Sequence, residues 1–323
     1  MTKKIIGIGN AIVDVVCEIG DEFLQENSLI KGSMSLIDEN MAQKLSQLPA
    51  VKITSGGSVA NSMAAIVQLG GHGTYIGKVA LDDFGRKFIN EIEKVGVKFA
   101  LQNYANNDSA KSFILVSKDA QRTMCTFLGC ASEINEADVN ENDIKNSAIL
   151  YLEGYLWDKS AAILALKKAI SLAKKYQVKI AFTLSDFFCV ARHKLDFIDL
   201  IINDLDILFA NEAEIKELLQ IKNIEKNDFK KLHNFFAKNE KLIAVVTRSE
   251  KGCVVFDNKI HYEIAAEKIT KLVDTTGAGD CFAAGFLFGL VAGYDLKKSA
   301  MLGNSLAAKI IQKFGARFDE GEI

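Results

Sequence analysis

A glycine-rich run near the end of the chain combines an acid with backbone that can approach a ligand closely. Residues 274–280 read DTTGAGD, and an apolar helical segment follows them. Gly277, Ala278 and Gly279 offer backbone N–H groups without large side chains, and the following helix adds the positive end of its dipole, so an anion can bind there. Asp280, in the first turn, can accept a proton from an alcohol beside that anion. This chemistry is that of phosphoryl transfer.

Two polar residues follow the first predicted strand, at the edge of a sheet. Asn10 and Asp14 come directly after the apolar run that begins the chain, and ligands of open α/β sheets bind at the carboxyl ends of strands. A carboxylate can accept hydrogen bonds from both hydroxyls of a vicinal diol, so Asp14 suits a sugar. Simpler alternatives stay open. Asn10 and Asp14 are also common turn residues, and Asp280 can serve only to stabilise its helix end.

The elements that must position these residues are short β-branched runs alternating with longer segments of helical period. This alternation predicts an α/β fold with a mostly parallel sheet flanked by helices. Residues 83–95 and 161–176 carry apolar stripes at helical spacing and are predicted helices. The predicted strands are 4–9, 74–79, 149–153, 178–184, 206–210, 242–247 and 253–256.

Two stretches break this rhythm. Residues 18–36 and 100–128 are predicted to form short strands, with hairpin signals at 106–108 and 118–119. Strands without an intervening helix do not easily join a parallel sheet, so we expect them to pair as a small antiparallel flap that acts as a lid. The lid, at about 16–37 and 100–128, belongs to a single predicted domain over residues 1–323.

Composition excludes several classes of function. Of 323 residues, 25% are charged and the formal net charge is -2, so no broad basic face is available for nucleic acid. Six dispersed cysteines without a CxxC pair, and four scattered histidines, argue against zinc and disulfides. The N-terminus turns polar too soon for a secretory signal and the apolar stretch 281–292 is too short for a bilayer. We therefore expect a cytoplasmic protein with no membrane partner.

The motifs resemble a known family. DTTGAGDCFAAGF at residues 274–286 is similar to the C-terminal signature of the ribokinase, or pfkB, family of carbohydrate and nucleoside kinases. SGGSVAN at 55–61, LGG at 69–71 and GKVALDDFG at 77–85 resemble its N-terminal signature, so the resemblance covers nearly the whole chain. It implies a Rossmann-like (ribokinase-like) α/β domain with a small β-sheet lid, and an ATP-dependent kinase with Asp280 as general base.

The resemblance also implies roles for individual residues. Asp14 is expected to hold acceptor hydroxyls together with Gly56, Gly57 and Asn61, and Asn10 borders the same site. Further residues are expected to line the ATP site, namely Thr247, Arg248, Gly252 and Asn304.

The implied cofactors are ATP and Mg²⁺, with K⁺ left open as a second cation. Asn211 and Glu214 resemble the family's NxxE element, linked to magnesium and phosphate, and they equally predict a capping box for a helix. The implied monovalent-cation loop contains Asp274, Thr276 and Gly315.

The acceptor is expected to be adenosine, because residues 119–129 and 151–157 resemble adenosine-kinase members of the family. Phe113 and Phe127 offer flat apolar surface for a purine, although both equally suit packing of the lid. Arg122 either neutralises the transferring phosphate or is a solvated turn residue. A ribokinase- or fructokinase-like sugar kinase is the alternative, and the oligomeric state, monomer or homodimer, stays open.

Two other classes fit the sequence less well. A dinucleotide-dependent dehydrogenase would need a third glycine after Gly7 and Gly9, where Ile12 stands. A ligand sensor without activity would not need the intact acid and glycines of residues 277–280.

Overall fold

A nine-stranded sheet forms the centre of the described part of the protein. The computed structural model describes residues 4–100, 102–119, 121–222, 224, 228–258 and 260–323. The strands of this sheet are β1 (Lys4–Ile8), β5 (His72–Ile76), β6 (Lys98–Phe99), β9 (Ile149–Glu153), β10 (Lys179–Thr183), β11 (Ile207–Asn211), β12 (Ile243–Thr247), β13 (Cys253–Asp257) and β14 (Ile260–Ile264). Their order is β14-β13-β12-β11-β10-β9-β1-β5-β6, antiparallel only at the β12-β13-β14 edge.

All seven predicted strands belong to this sheet. Six of them pair in parallel, and their apolar runs are buried on both faces, as parallel strands require; the seventh, β13, pairs antiparallel with β12 and β14. Successive residues of one strand enter different cores. Ile5 packs with the helices on one face of the sheet, and Ile6 and Ile8 pack with those on the other. The predicted α/β fold is therefore confirmed.

Helices cover both faces of the large sheet. Two of them match the predicted helices at 83–95 and 161–176 to within one residue at each end. The helices are α1 (Asp21–Glu26), α2 (Glu39–Leu45), α3 (Ser58–Gln68), α4 (Asp83–Lys94), α5 (Glu141–Lys145), α6 (Ser160–Lys175), α7 (Phe187–Asn203), α8 (Glu212–Leu219), α9 (Phe229–Phe236), α10 (Ala278–Val291) and α11 (Leu296–Ile310). Within the described ranges, no helix is long and apolar enough to cross a membrane.

A second, five-stranded sheet lies beside the large one. Its strands are β2 (Ile12–Glu18), β3 (Met34–Leu36), β4 (Ala50–Ser55), β7 (Ala110–Val116) and β8 (Arg122–Phe127), in the order β3-β8-β7-β2-β4. The expectation of a purely antiparallel flap is wrong, because β2 pairs with β7 in parallel and β3 pairs with β8 in parallel. Long connections between these strands, which include helices, make the parallel pairings possible.

The local predictions for this sheet have mixed outcomes. The hairpin turn at 118–119 is present, since β7 and β8 pair on either side of it. Residues 106–108 join no such hairpin, because β7 begins only at Ala110. The stretch 18–36 contains helix α1 as well as β3, and β4 lies outside both predicted lid segments.

Candidate active site

Asp280 lies in the first turn of α10, where its half-buried carboxylate is held by two side chains of α3. Its Oδ1 accepts a hydrogen bond from Ser58 Oγ at 2.7 Å, and its Oδ2 accepts one from Asn61 Nδ2 at 3.0 Å. Burial raises the pKa of Asp280 to about 6, although the bonds from Asn61 and Ser58 and the charge of Arg317 act in the opposite direction. This carboxylate can therefore take up a proton near neutral pH.

The N-terminus of α10 is open beside this acid. Gly277 precedes the helix in the left-handed region, with φ at 79°, and no side chain of the described residues caps the helix. A Cβ added to Gly279 would meet nothing within 4 Å, so space is available above the first turn. The N–H of Ala278 donates to the carbonyl oxygen of Thr275 at 3.2 Å. The first N–H groups of a helix have no partner within it, and with the helix dipole the remaining ones form a site for an anion.

Close packing of two backbone segments explains Gly277. A Cβ there would lie 2.7 Å from the Cα of Ala316, in the segment that follows α11. Only glycine combines this approach with a positive φ at low cost.

The acceptor side of the site is built around Asp14, on β2. Gly56 lies directly against the Asp14 carboxylate, which a side chain at that position would displace. Gly57 has φ at 92°, and its side-chain position is filled by the carbonyl oxygen of Asn10. Burial raises the pKa of Asp14 to about 7, and nearby Arg317 partly opposes this effect. Asp14, Gly56, Gly57 and Asn61 are thus brought together, as the sequence predicted.

Asn10 is held by hydrogen bonds to Glu153, an acid that the sequence analysis missed. Glu153 Oε1 accepts hydrogen bonds from Asn10 N at 2.9 Å and from Asn10 Nδ2 at 3.0 Å, while Oε2 accepts one from Val59 N at 3.1 Å. Burial raises the pKa of Glu153 to about 7 despite these three donors. The Oδ1 atom of Asn10 is buried without a hydrogen-bond partner among the described residues.

Arg317 is a second residue that the sequence analysis missed. It follows α11 and donates to Asn61 Oδ1 at 2.9 Å, to the carbonyl oxygen of Gly56 at 3.3 Å and to Ser55 Oγ. It thus adds a cation beside the carboxylates of Asp14 and Asp280.

The predicted cation loop is also assembled. Asp274 Oδ2 accepts from Gly315 N at 2.9 Å, and Oδ1 accepts from Thr276 N at 3.1 Å and Thr276 Oγ1 at 2.7 Å. Arg122 completes the set with a 2.6 Å bond to Asp274 Oδ2 and a 3.2 Å bond to Thr276 Oγ1. Arg122 is therefore bound to the loop and is not a solvated turn residue.

A cavity of about 870 Å³ adjoins these groups, which is ample for a drug-sized ligand. The cavity is lined by Asp14, Arg122, Thr276 and Arg317. Asp280 does not line it, but hydrogen bonds from Arg317 to Asn61 and from Asn61 to Asp280 connect Asp280 to the cavity wall. The small sheet contributes an apolar wall of Val16, Ile114 and Val116.

Phe113 does not reach this cavity. It is fully buried in the core of the small sheet, and Phe127 packs partly buried against the same core. Successive strand residues face opposite sides, so Ile114 and not Phe113 meets the cavity. The expectation that Phe113 offers its ring to a ligand is wrong for this structure.

Of the residues predicted to line the ATP site, Thr247, Arg248 and Gly252 lie at the connection between β12 and β13, and Asn304 lies on α11. Arg248 Nε donates to Glu212 Oε1 at 2.7 Å, and its guanidinium lies over the ring of Phe229. Asn304 donates to the carbonyl oxygen of Ala265 at 2.9 Å. Thr247 ends β12, and Gly252 ends the turn that leads into β13.

Asn211 and Glu214 form the predicted capping box of α8. Glu214 N donates to Asn211 Oδ1 at 2.9 Å, and Glu214 Oε2 accepts from Asn211 N at 3.0 Å. Burial raises the pKa of Glu214 to about 7. In the described parts of the chain, no group of three or more His, Cys, Asp or Glu side chains forms a ready metal site.

Fold and site together are those of a phosphotransferase that acts on an alcohol group. The family model described as pfkB family carbohydrate kinase matches residues 30–322. The chain belongs to this family.

Several relatives cover 98% or more of the chain. The adenosine kinase from Sinorhizobium meliloti is 38% identical, with a TM-score of 0.88 and coverage of 98% of this chain and 96% of that one. A probable sugar kinase from Rhizobium etli CFN 42 is 37% identical, also with a TM-score of 0.88, covering 98% and 95%. Adenosine kinase of Saccharomyces cerevisiae is 27% identical over 100% of this chain and 99% of its own length.

Proposed function

We propose that the protein transfers the γ-phosphoryl group of ATP to the 5′-hydroxyl of adenosine, giving AMP and ADP. The carboxylate of Asp280 accepts the hydroxyl proton, the oxygen forms a bond to the γ-phosphorus, and the bond from that phosphorus to the β-phosphate oxygen breaks. The N–H groups at the mouth of α10, from Gly277 to Gly279, stabilise the charge of the transferring group. The family membership supports this chemistry.

Asp14, Gly57 and Asn61 seat the ribose in this proposal. Asp14 accepts from the ribose hydroxyls, and Asn61 retains one N–H and one oxygen lone pair for the substrate after its bonds to Asp280 and Arg317. Asn10 contributes its side-chain amide oxygen, Oδ1, which has no hydrogen-bond partner among the described residues and can accept one from the substrate. The small sheet, with Arg122, acts as the lid that excludes water from the reacting groups.

The observation that favours adenosine over a bare sugar is the apolar wall of the cavity. Val16, Ile114 and Val116 present aliphatic surface to a space of about 870 Å³. A purine ring buries apolar area against such a wall, and a free sugar does not. The full-length similarity to the adenosine kinase from Sinorhizobium meliloti supports the same acceptor.

Both carboxylate oxygens of Glu214 already accept hydrogen bonds from Asn211. The described residues therefore fit a magnesium ion that arrives with the ATP phosphates and is held near Glu214 through water molecules. Magnesium would neutralise phosphate charge. The nucleotide site is proposed at Thr247, Arg248, Gly252 and Asn304. A K⁺ site is proposed at Asp274, Thr276 and Gly315, where Arg122 already balances the charge of Asp274.

All six cysteines are free and buried, which supports a reducing compartment such as the cytoplasm. Residues 1–323 are proposed to act as one domain.

A sugar kinase with the same catalytic groups is the second candidate, supported by the probable sugar kinase from Rhizobium etli. The deciding experiment compares turnover of purified protein with ATP and adenosine, ribose or fructose. We expect kcat/KM for adenosine to exceed that for either sugar by at least about tenfold. Brisk turnover of ribose without detectable AMP would contradict the proposal.

A further inference from the structure

Arg317 reaches the catalytic acid through one intermediate side chain. Arg317 Nε donates to Asn61 Oδ1 at 2.9 Å, and Asn61 Nδ2 donates to Asp280 Oδ2 at 3.0 Å. An arginine side chain has donors and no acceptor, whereas an ionised carboxylate accepts only. The amide of Asn61 therefore satisfies both neighbours in one orientation, with its oxygen toward Arg317 and its nitrogen toward Asp280.

We propose that Arg317 is a positioning residue, which fixes the Asn61 amide so that Asp280 is held in place to deprotonate the acceptor. The inference rests on the proposed function. Without Arg317, the Asn61 amide can rotate by half a turn and direct its oxygen at the carboxylate of Asp280. Two acceptors would then face each other, and the carboxylate would lose one of its two side-chain donors, leaving only Ser58.

The fold holds Arg317 in place independently of any ligand. Gly315 N donates to Asp274, and Gln68 Nε2 on α3 donates to the carbonyl oxygen of Phe318 at 3.1 Å. Ala316 packs against Gly277 at the mouth of α10. The backbone on both sides of Arg317 is thus tied to α3, which carries Asn61, and to the loop that leads directly into the first turn of α10, which carries Asp280.

The test is a double-mutant cycle between Arg317→Met and Asn61→Ala. If Arg317 acts through Asn61, Arg317→Met lowers kcat by roughly 10- to 100-fold in the wild-type background and by less than about threefold when Asn61 is already alanine. The KM for ATP stays within about twofold. Arg317→Lys, which retains the charge and loses the fixed donor geometry, falls between wild type and Arg317→Met.

Lys313→Met is the matched control. Lys313 is a cation of the same segment, paired with Asp319 and Glu322 and not with the site, so its loss leaves kcat unchanged. Multiplicative effects of the two substitutions would overturn the proposal. So would an Arg317→Met variant that raises only the KM for adenosine, or one with higher kcat/KM, since Arg317 would then bind or obstruct the acceptor.

A readout without turnover separates this inference from the proposed function. Carboxyl ¹³C NMR titration of Asp280 should give a higher pKa in Arg317→Met. Part of this rise comes from loss of the Arg317 charge itself and persists when Asn61 is alanine, so the rise should be smaller, but not absent, in that background. Equal rises in the two backgrounds would overturn the inference. An unchanged pKa in Arg317→Met would overturn the inference whichever acceptor the enzyme uses. If Arg317→Met does not fold, Arg317→Lys is titrated in its place, with the pKa of Asp280 expected to rise by a smaller amount. The other titratable groups that face Asp280 are Asp14, Tyr151, Glu153, Tyr155 and Cys281. None of them is substituted, but loss of the Arg317 charge also raises the pKa of Asp14.

Discussion

Arg122 on β8 donates to Asp274 across 2.6 Å, and this ion pair joins the small sheet to the loop that precedes α10. The Asp274 side chain is only 5% exposed. Although burial alone raises the pKa of Asp274, the bonds from Gly315 and Thr276 and the charge of Arg122 bring it below its usual value. The pair therefore couples the position of the small sheet to the loop that carries the anion site.

Arg122→Met should weaken both the fold and catalysis. A buried carboxylate that loses a charged partner costs about 1–3 kcal/mol, so the free energy of unfolding should fall by that amount. We expect kcat to fall by about tenfold as well, because the loop before α10 loses its tie to the small sheet. Urea unfolding and steady-state kinetics measure the two effects.

Lys31→Met is the control for Arg122→Met, because Lys31 forms exposed pairs with Asp21 and with Asp119, which lies in the turn just before Arg122. It should change kcat by less than twofold. Equal effects of the two substitutions would mean that the Arg122–Asp274 pair has no special role.

Asp280→Asn should lower kcat by roughly 100- to 10,000-fold, the usual range for loss of a general base. The KM for ATP should change little, since the backbone at the mouth of α10 is unaltered. Asp83→Asn is the control, because Asp83 is also in the first turn of a helix and is almost fully exposed. An Asp280→Asn enzyme with more than half of wild-type turnover would remove Asp280 from the chemistry.

The pH dependence of kcat/KM follows from two raised pKa values. Burial raises the pKa of Asp14 to about 7 and that of Asp280 to about 6, and both groups must be ionised to act. Activity should therefore fall as the pH drops below about 7 and fall more steeply below about 6. In Asp280→Asn the residual activity should keep only the upper step. Titration of ATP contributes equally to both profiles, so the step due to Asp280 is the difference between them, and identical profiles for wild type and Asp280→Asn would contradict the assignment.

Asp14→Asn should act on acceptor binding. Hydrogen bonds to a charged group contribute about 1.5–3 kcal/mol, so the KM for adenosine should rise roughly 10- to 150-fold. The KM for ATP in the same variant is the internal control and should stay within about twofold. A variant with normal KM for adenosine would remove Asp14 from the acceptor site.

Glu153 should make the protein less stable as the pH rises. Burial raises its pKa from 4.5 to about 7, so between these values the folded protein retains a proton that the unfolded chain releases. Its contribution is fully present below about 4.5 and lost above about 7, and it amounts to about 3 kcal/mol.

Urea unfolding of wild type and Glu153→Gln at pH 5 and pH 8 measures this contribution. The loss of stability between the two pH values should be smaller in Glu153→Gln. Glu141→Gln is the control: bonds from Lys175 and Tyr176 lower the pKa of exposed Glu141, so Glu141 is largely ionised in both folded and unfolded chains over this pH range, and the substitution should leave the loss of stability between pH 5 and pH 8 nearly unchanged. Identical slopes for wild type and Glu153→Gln would contradict the assignment.

The anion loop could be predicted from sequence because its parts are contiguous: Gly277, Gly279 and Asp280 lie within one turn. The seven main strands could be predicted because each is a short buried apolar run. Which face of a strand points to the core could not be predicted. Phe113 and Ile114 are adjacent apolar residues of β7, and nothing in their types tells which one faces the core and which one the cavity.

Arg317 and the mixed small sheet depend on long-range contacts. Arg317 lies 256 residues from Asn61, and the only sign of it in the sequence is a basic residue after Gly315 and Ala316. The parallel pairing of β2 with β7 joins residues 12–18 to 110–116, which local patterns do not reveal. Glu153 gives a clearer signal, since an acid that ends an otherwise apolar strand must find buried donors.

The segment after α11, in which Ala316 contacts Gly277 and Arg317 contacts Asn61, has a consequence for biosynthesis because it is made last. Asp14 and Asn61 leave the ribosome long before the segment that supplies Arg317, so the nascent chain can build its central sheet while the acceptor site is still incomplete. A protease that trims this segment after α11 should likewise inactivate the enzyme while most of the fold persists.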